Sequence, residues 1–267
     1  MTAHRDLIVD QFTKQAVPFS TAPGIRDEEA LRLLVDLTEA DAADTVLDVA
    51  CGPGLVTCAL AAVVAHATGI DVTPAMIERA RTLAAEKNVS NVRWQVGDVL
   101  PLPFPDDSFS LVVSRFAFHH FPEPAAVLAE MRRVCAPGGR VAVVDVASSP
   151  DPAKAAAFDR MERLRDPSHV RALPLAELVA LFTTAGLSSP RAAFYELRSD
   201  LDGLLSRSFP APGDVDTIRQ MFVDSLADDA LGMGTRRRRD QIVFGYPVAM
   251  LVSRVDDQAR AARNASR

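Results

Sequence analysis

The run Val46-Leu47-Asp48-Val49-Ala50-Cys51-Gly52-Pro53-Gly54, answered by Gly69-Ile70-Asp71 one helix-length later, constrains this chain more than any other stretch. An apolar segment that meets two closely spaced glycines and then an alanine-rich stretch reads as a buried parallel strand turning sharply into a helix. At such a turn bare backbone can approach a ligand. An acid about 20 residues on, at the end of the next strand, is placed to hydrogen-bond a ribose. Asp71 holds that place, so the pattern points to a nucleoside cofactor.

Missing residues narrow the choice of nucleoside. A dinucleotide fingerprint reads G-x-G-x-x-G, which lets a helix N-terminus accept a pyrophosphate, whereas Leu55, Val56 and Thr57 follow Gly52 and Gly54 here. No G-x-x-x-x-G-K-[ST] loop occurs, so a phosphate cradle has no residues to build it. Asp48, inside the strand, is awkward to bury unless it is hydrogen-bonded, and the glycine loop supplies donors.

The spelling LDVACGPG resembles motif I of the class I S-adenosylmethionine (SAM) methyltransferases, and the resemblance continues in register to Arg140. It implies that Ala50, Gly52 and Gly54 form the loop around the cofactor and that Asp48 orders that loop and the cofactor's amino end. Gly69-Ile70-Asp71-Val72-Thr73-Pro74-Ala75-Met76 is similar to the second motif, with Asp71 on the ribose, Val72 beside it and Met76 against the adenine. Val96-Gly97-Asp98-Val99 resembles the third, in which Asp98 takes the adenine amino group and the Val99 N–H a ring nitrogen. Read without the resemblance, Asp98 is a turn residue before Pro101 and Pro103. Phe109 to Ser114 and Arg115 resemble the fourth motif, whose end faces the methionine portion, and Leu128 to Arg140 has the spelling that precedes the fifth strand. The cofactor so implied is SAM, with S-adenosylhomocysteine as product.

The coarse reading agrees with that family's fold. Strands near Thr45–Ala50, Ala67–Asp71, Val92–Val96, Phe109–Ser114 and Arg140–Val146 alternate with helices near Leu55–Val64, Pro74–Glu86 and Glu123–Val134, after a first helix near Arg26–Glu39. Such alternation marks an α/β fold with a doubly wound, Rossmann-like parallel sheet. Ala192–Leu197 and Gln241–Val252 bring the sheet to seven strands, and the resemblance implies that the last is antiparallel. Residues 1–267 are expected to form a single domain. Its core spans about 26–147, 190–198 and 241–255, and a polar N-terminal arm (1–25) and inserts at 148–189 and 199–240 roof the site.

With 48% hydrophobic and 24% charged residues the chain has the makeup of a globular protein. A net charge of −6 lacks the basic footprint of a general nucleic-acid surface, which leaves a small molecule as the expected partner. Cys51, Cys58 and Cys135 show neither metal spacing nor an evident pairing, as expected of reduced thiols in the cytoplasm. No apolar run is long enough to span a membrane, and MTAHRDLIVD has no signal core. Oligomeric state is left open, a homodimer included.

The methyl acceptor's proton directs attention to histidine. An oxygen or neutral-amine acceptor must shed a proton, and histidine is the usual base. His119 and His120 directly follow the fourth strand, at the lip of the expected site, with His120 slightly preferred as the base. One of such a pair commonly orients the loop instead, or caps the helix near Glu123. His169 and Arg165, in the segment RLRDPSHVR, are the candidates for substrate contact, and that segment is similar to one in ubiquinone/menaquinone-methyltransferase-like proteins (methyltransferase domain type 11). Read from its residues alone, it is equally a surface corner held by Arg–Asp pairs. Phe12 and Phe19 are lid contacts or plain anchors for the arm, and the run Arg236–Arg239 reads as a solvated turn. No metal site is expected. The leading reading is SN2 methyl transfer to O, N or C of a small organic molecule; a nucleotide-dependent oxidoreductase and a non-catalytic SAM-binding regulator are the alternatives.

Overall fold

Strands buried on both faces, separated by helices with one apolar face, dictate the centre of the molecule. The computed structural model describes residues 2–22 and 24–256. In chain order, α1 (Thr2–Thr21) and α2 (Glu28–Thr38) precede β1 (Thr45–Val49), α3 (Leu55–Ala61), β2 (His66–Asp71), α4 (Pro74–Glu86), β3 (Val92–Val96) and β4 (Phe109–Arg115). After a short 3₁₀ turn at Phe118–His120 come α5 (Pro124–Val134), β5 (Cys135–Val146), α6 (Pro152–Arg165) and α7 (Leu175–Thr184). The last elements of the described residues are β6 (Arg191–Asp200), α8 (Leu201–Ser206), α9 (Asp214–Asp228), β7 (Arg236–Arg238) and β8 (Gln241–Arg254).

The sheet order is β3-β2-β1-β4-β5-β8-β6, with β7 also paired to β8. β1 to β5 pair in parallel, while β8 runs antiparallel to β5, β6 and β7. Successive residues of β1 face opposite sides: Val46 packs with Leu34, Val56, Leu60 and Leu111, and Leu47 packs with Val112, Leu128 and Met131. Both faces are covered at the centre of the sheet, which is why β1, β4 and β5 read as continuous apolar runs, whereas the edge strand β3 is only partly buried. Chain order reverses between β1 and β4, so the connections leaving their carboxyl ends diverge and open a crevice.

Four features differ from the sequence reading. The N-terminal arm is a 20-residue helix, α1, despite Pro18 within it. An eighth, three-residue strand joins the expected seven: the arginine run is exposed, but Arg236–Arg238 form β7 and the turn begins only at Arg239, with φ 55°. β5 starts earlier than expected, at Cys135, with an irregularity in its pairing to β4 between Phe109 and Leu111. The 165–171 corner is not a surface feature, because Asp166, Ser168 and His169 are buried. α6, α8 and α9 pack through Phe158, Leu204, Ile218 and Phe222 onto Phe244 and Tyr246 of β8, forming a second apolar layer beside the crevice. Among the described residues no helix is long and apolar enough to cross a membrane.

Candidate active site

The β1–α3 elbow needs left-handed backbone. Ala50, Gly52 and Gly54 have φ of 54°, 51° and 81°. A Cβ on Gly54 would lie 2.6 Å from Trp94 Cη2 and 2.9 Å from Ala80 Cβ, whereas one on Gly52 would meet nothing within 4 Å. Gly54 is therefore required by packing, and Gly52 leaves open space toward a cavity. Gly52 N–H donates to Asp71 Oδ2 and Thr73 N–H to Asp71 Oδ1, both at 2.8 Å, so this carboxylate ties the elbow to the end of β2. Burial raises its pKa against those two stabilising donors. Asp48 accepts from Thr57 Oγ1 at 2.6 Å, and burial lifts its carboxyl to about 7.

Around this elbow lies a cavity of ≈ 290 Å³, lined by Asp48, Ala50, Gly52, Asp71, Val72, Met76, Asp98, Val99 and Arg115 among others. Asp98 Oδ1 accepts from the N–H of Val99 (2.7 Å) and of Leu100 (3.3 Å), so it does form the turn, with its other oxygen 3.6 Å from Arg5 Nε of α1. Arg115 donates from Nη1 to the Ile25 carbonyl at 3.1 Å, and its buried side chain also faces the Tyr195 hydroxyl. Gly54, Gly97 and Ser114 line neither this cavity nor the next; Gly97 N–H bonds the Asp71 carbonyl at 2.9 Å, and the Ser114 side chain is fully buried.

A second cavity of ≈ 130 Å³ adjoins the first, and the two share Phe12, Phe19, Ile25, Phe116 and His120 in their walls. Phe12 sets its edge against the His120 ring, 5.0 Å between centroids, so the α1 aromatics line the site as well as anchoring the helix. His119, His120, Arg165 and His169 all line the second cavity. Arg–Asp pairs, one of the two readings of the 165–171 corner, do not hold it: Arg165 is ion-paired with Glu162, which also accepts from Tyr246 Oη at 2.9 Å. Asp166 instead accepts from Ser168 and from Gln15 of α1, the latter at 3.1 Å.

The two neighbouring histidines have opposite electrostatics. His119 Nδ1 lies 2.6 Å from Asp145 Oδ1, and its backbone N–H donates to Asp145 Oδ2 at 3.0 Å. Burial works against the imidazolium, but the Asp145 charge outweighs it and holds the pKa above the ordinary 6.5. A carboxylate at Nδ1 fixes the proton there and leaves Nε2 with its lone pair, the tautomer a general base requires. His120 has no such partner: its Nδ1 faces the Ser168 carbonyl at 3.1 Å, and burial with the His119 charge lowers its pKa to about 3. Neither ring caps α5, whose N-cap is Glu123 without a side-chain bond. Asp145 escaped the sequence reading, although an acid inside the apolar run Arg140–Val146 carries the same signal as Asp48: a buried carboxylate demands a donor. Among the described residues no group of three or more His, Cys, Asp or Glu could hold a metal ion, and the three cysteines are free and buried.

Comparison with known proteins shows what the chain resembles. A family model described as a methyltransferase domain matches residues 47–143. The chain is similar to the uncharacterized methyltransferase YcgJ of Bacillus subtilis, 35% identical over 196 residues that cover 73% of this chain and 78% of the relative. The solved structure of YcgJ superposes with a TM-score of 0.79 at 30% identity, over 86% of this chain and 99% of that one. The 27-O-demethylrifamycin SV methyltransferase of Amycolatopsis mediterranei is 34% identical over 171 residues, 62% of this chain and 63% of the relative.

Proposed function

We propose that this chain, which belongs to the methyltransferase-domain family of class I SAM-dependent methyltransferases, methylates a hydroxyl oxygen of a small organic molecule, with His119 as the general base. The observation that carries this reading is the His119–Asp145 pair, at 2.6 Å, with His119 in the wall of the second cavity, next to the one around the glycine elbow. Of the expected acceptor atoms O, N and C, oxygen gains most from a base held in this tautomer, and the Amycolatopsis relative is named for an O-demethylated substrate.

The first cavity suits SAM by the chemistry of its donors. Arg115, a cation in the wall, fits a carboxylate, Asp48 fits an ammonium, Asp71 fits ribose hydroxyls, and Val72, Met76 and Val99 give apolar walls for a base. When bound, SAM supplies a methyl group on a positively charged sulfur, open to in-line displacement. Phe12, Phe19 and Phe116 exclude water from the junction of the cavities. His119 Nε2 takes the acceptor's proton while Asp145 holds Nδ1 and balances the imidazolium, a contribution of about 10²–10⁴-fold. His120, kept neutral, shapes the wall between the cavities. We place the acceptor against α6 and the 165–171 corner, with Arg165 holding Glu162 in position.

The test is methyl transfer from SAM to a panel of hydroxylated acceptors, followed as S-adenosylhomocysteine formation. His119→Ala should lower kcat at least a hundredfold and leave SAM affinity unchanged. Full turnover in that variant removes His119 as the base.

A further inference from the structure

The second cavity carries more positive charge than methyl transfer uses. Three arginines line it, Arg165, Arg198 and Arg207, against two carboxylates, Glu162 and Asp166. Arg165 is taken up by Glu162, and Asp166 accepts from Ser168 and from Gln15 of α1. Arg198 is exposed and stands 3.9 Å from Glu196. Arg207, the residue that follows α8, is half-buried and forms no ion pair among the described residues. Its Nη2 lies 3.4 Å from Ser199 Oγ, a long contact to another residue of the cavity wall. The nearby carboxylate of Asp200 caps α8 instead, accepting from the Gly203 N–H at 2.7 Å. A half-buried guanidinium has given up part of its hydration, and a carboxylate replaces that water with two parallel N–H···O bonds.

A row of rings connects this cation with the base. From His119 the wall passes to His169, 5.5 Å between ring centroids, from there to Phe158 at 6.3 Å and on to Tyr246 at 5.9 Å. Burial raises the pKa of the Tyr246 hydroxyl well above its ordinary value, and the Arg207 charge opposes that rise, so the guanidinium stands beside this end of the row. His119 is at the other end. All five residues line the same cavity, and an excess of one arginine over the carboxylates matches a single negative charge on the ligand.

We infer that the acceptor is a hydroxy acid, with its hydroxyl presented to His119 and its carboxylate held by Arg207. This rests on the proposed O-methyl transfer and specifies its substrate class. Arg207 grips the acceptor away from the reacting atoms; it decides which acceptor is held and moves no proton.

Acceptors that differ only in charge test this: para-hydroxyphenylacetate against para-hydroxyphenylacetamide, and para-hydroxyphenylpropionate against its amide, the two lengths separating hydroxyl and carboxylate differently. Calorimetry on the full chain saturated with S-adenosylhomocysteine reads affinity without methyl transfer, and in at least one pair the acid should bind about tenfold or more tightly. Initial rates of S-adenosylhomocysteine formation with SAM should show the same preference in kcat/KM. Arg207→Gln should abolish the preference by weakening the acid, whereas Arg207→Lys, which keeps the charge, should retain part of it. Equal affinity of acid and amide in both pairs, binding of neither, or a preference that survives Arg207→Gln overturns the inference while O-methylation of neutral acceptors stands. Acids held through Arg207 but never methylated count against the O-methylation reading rather than the carboxylate contact.

Discussion

Individual carboxylates do different work here according to what they face. Asp145 raises the pKa of His119, and a base is active only when deprotonated, so kcat/KM should rise with pH along a limb centred above 6.5. Asp145→Asn should move that limb to lower pH and reduce turnover at least tenfold, which a pH–rate profile checks. Asp48 behaves in the opposite sense. Its folded-state pKa, about 7, stands above the ordinary 3.8, so the carboxyl favours folding below 3.8 and that contribution is lost as pH rises through 7. An ammonium beside Asp48 favours the ionised form. SAM affinity should therefore increase as pH is raised through about 7, and Asp48→Asn should flatten that dependence in calorimetric titrations. Asp71→Ala removes the bonds to Gly52 and Thr73 along with the expected ribose contact, and SAM affinity should fall by about 1.5–3 kcal/mol.

At the scale of elements, the two elbow glycines separate packing from binding. Gly54→Ala drives a methyl into Trp94 and Ala80 at a positive φ, and the melting temperature should drop by several degrees. Gly52→Ala meets no atom, so its cost is the backbone strain alone, about 1–2 kcal/mol. Its methyl points into the space around the cofactor site, and SAM binding should weaken while the fold survives; thermal melts and titrations of both variants check the contrast. This elbow and the central strands β1, β4 and β5 were readable because a strand buried on both sides spells a continuous apolar run and a left-handed turn spells glycine. α1 was not: Pro18 lies inside it, and its polar residues find partners only in the folded molecule, as Gln15 does on Asp166 and His4 on the His120 carbonyl. Four arginines give no sign of a strand, and β7 exists because β8 offers it a pairing edge. The Asp145, Asp159 and Asp166 partners of the histidine cavity come from β5, α6 and the corner that follows α6. Local spacing cannot announce those pairings, although each buried acid was a clue in itself.

For the whole molecule, two adjoining cavities beneath α1 set a division of labour: one built on the carboxyl ends of β1 and β2, the other on α6, β6 and Tyr246 of β8. Such a site should be stabilised by its own cofactor, and SAM at a hundred times its Kd should add about 2.7 kcal/mol, several degrees of melting temperature, with no shift from NAD. The most direct test of the two-cavity arrangement is a crystal structure with S-adenosylhomocysteine bound. Its ribose should meet Asp71, with the sulfur directed at the wall formed by Phe12, Phe116 and His120 and the histidine cavity left free. Density for the ligand in the histidine cavity instead, or none at the glycine elbow, would contradict it.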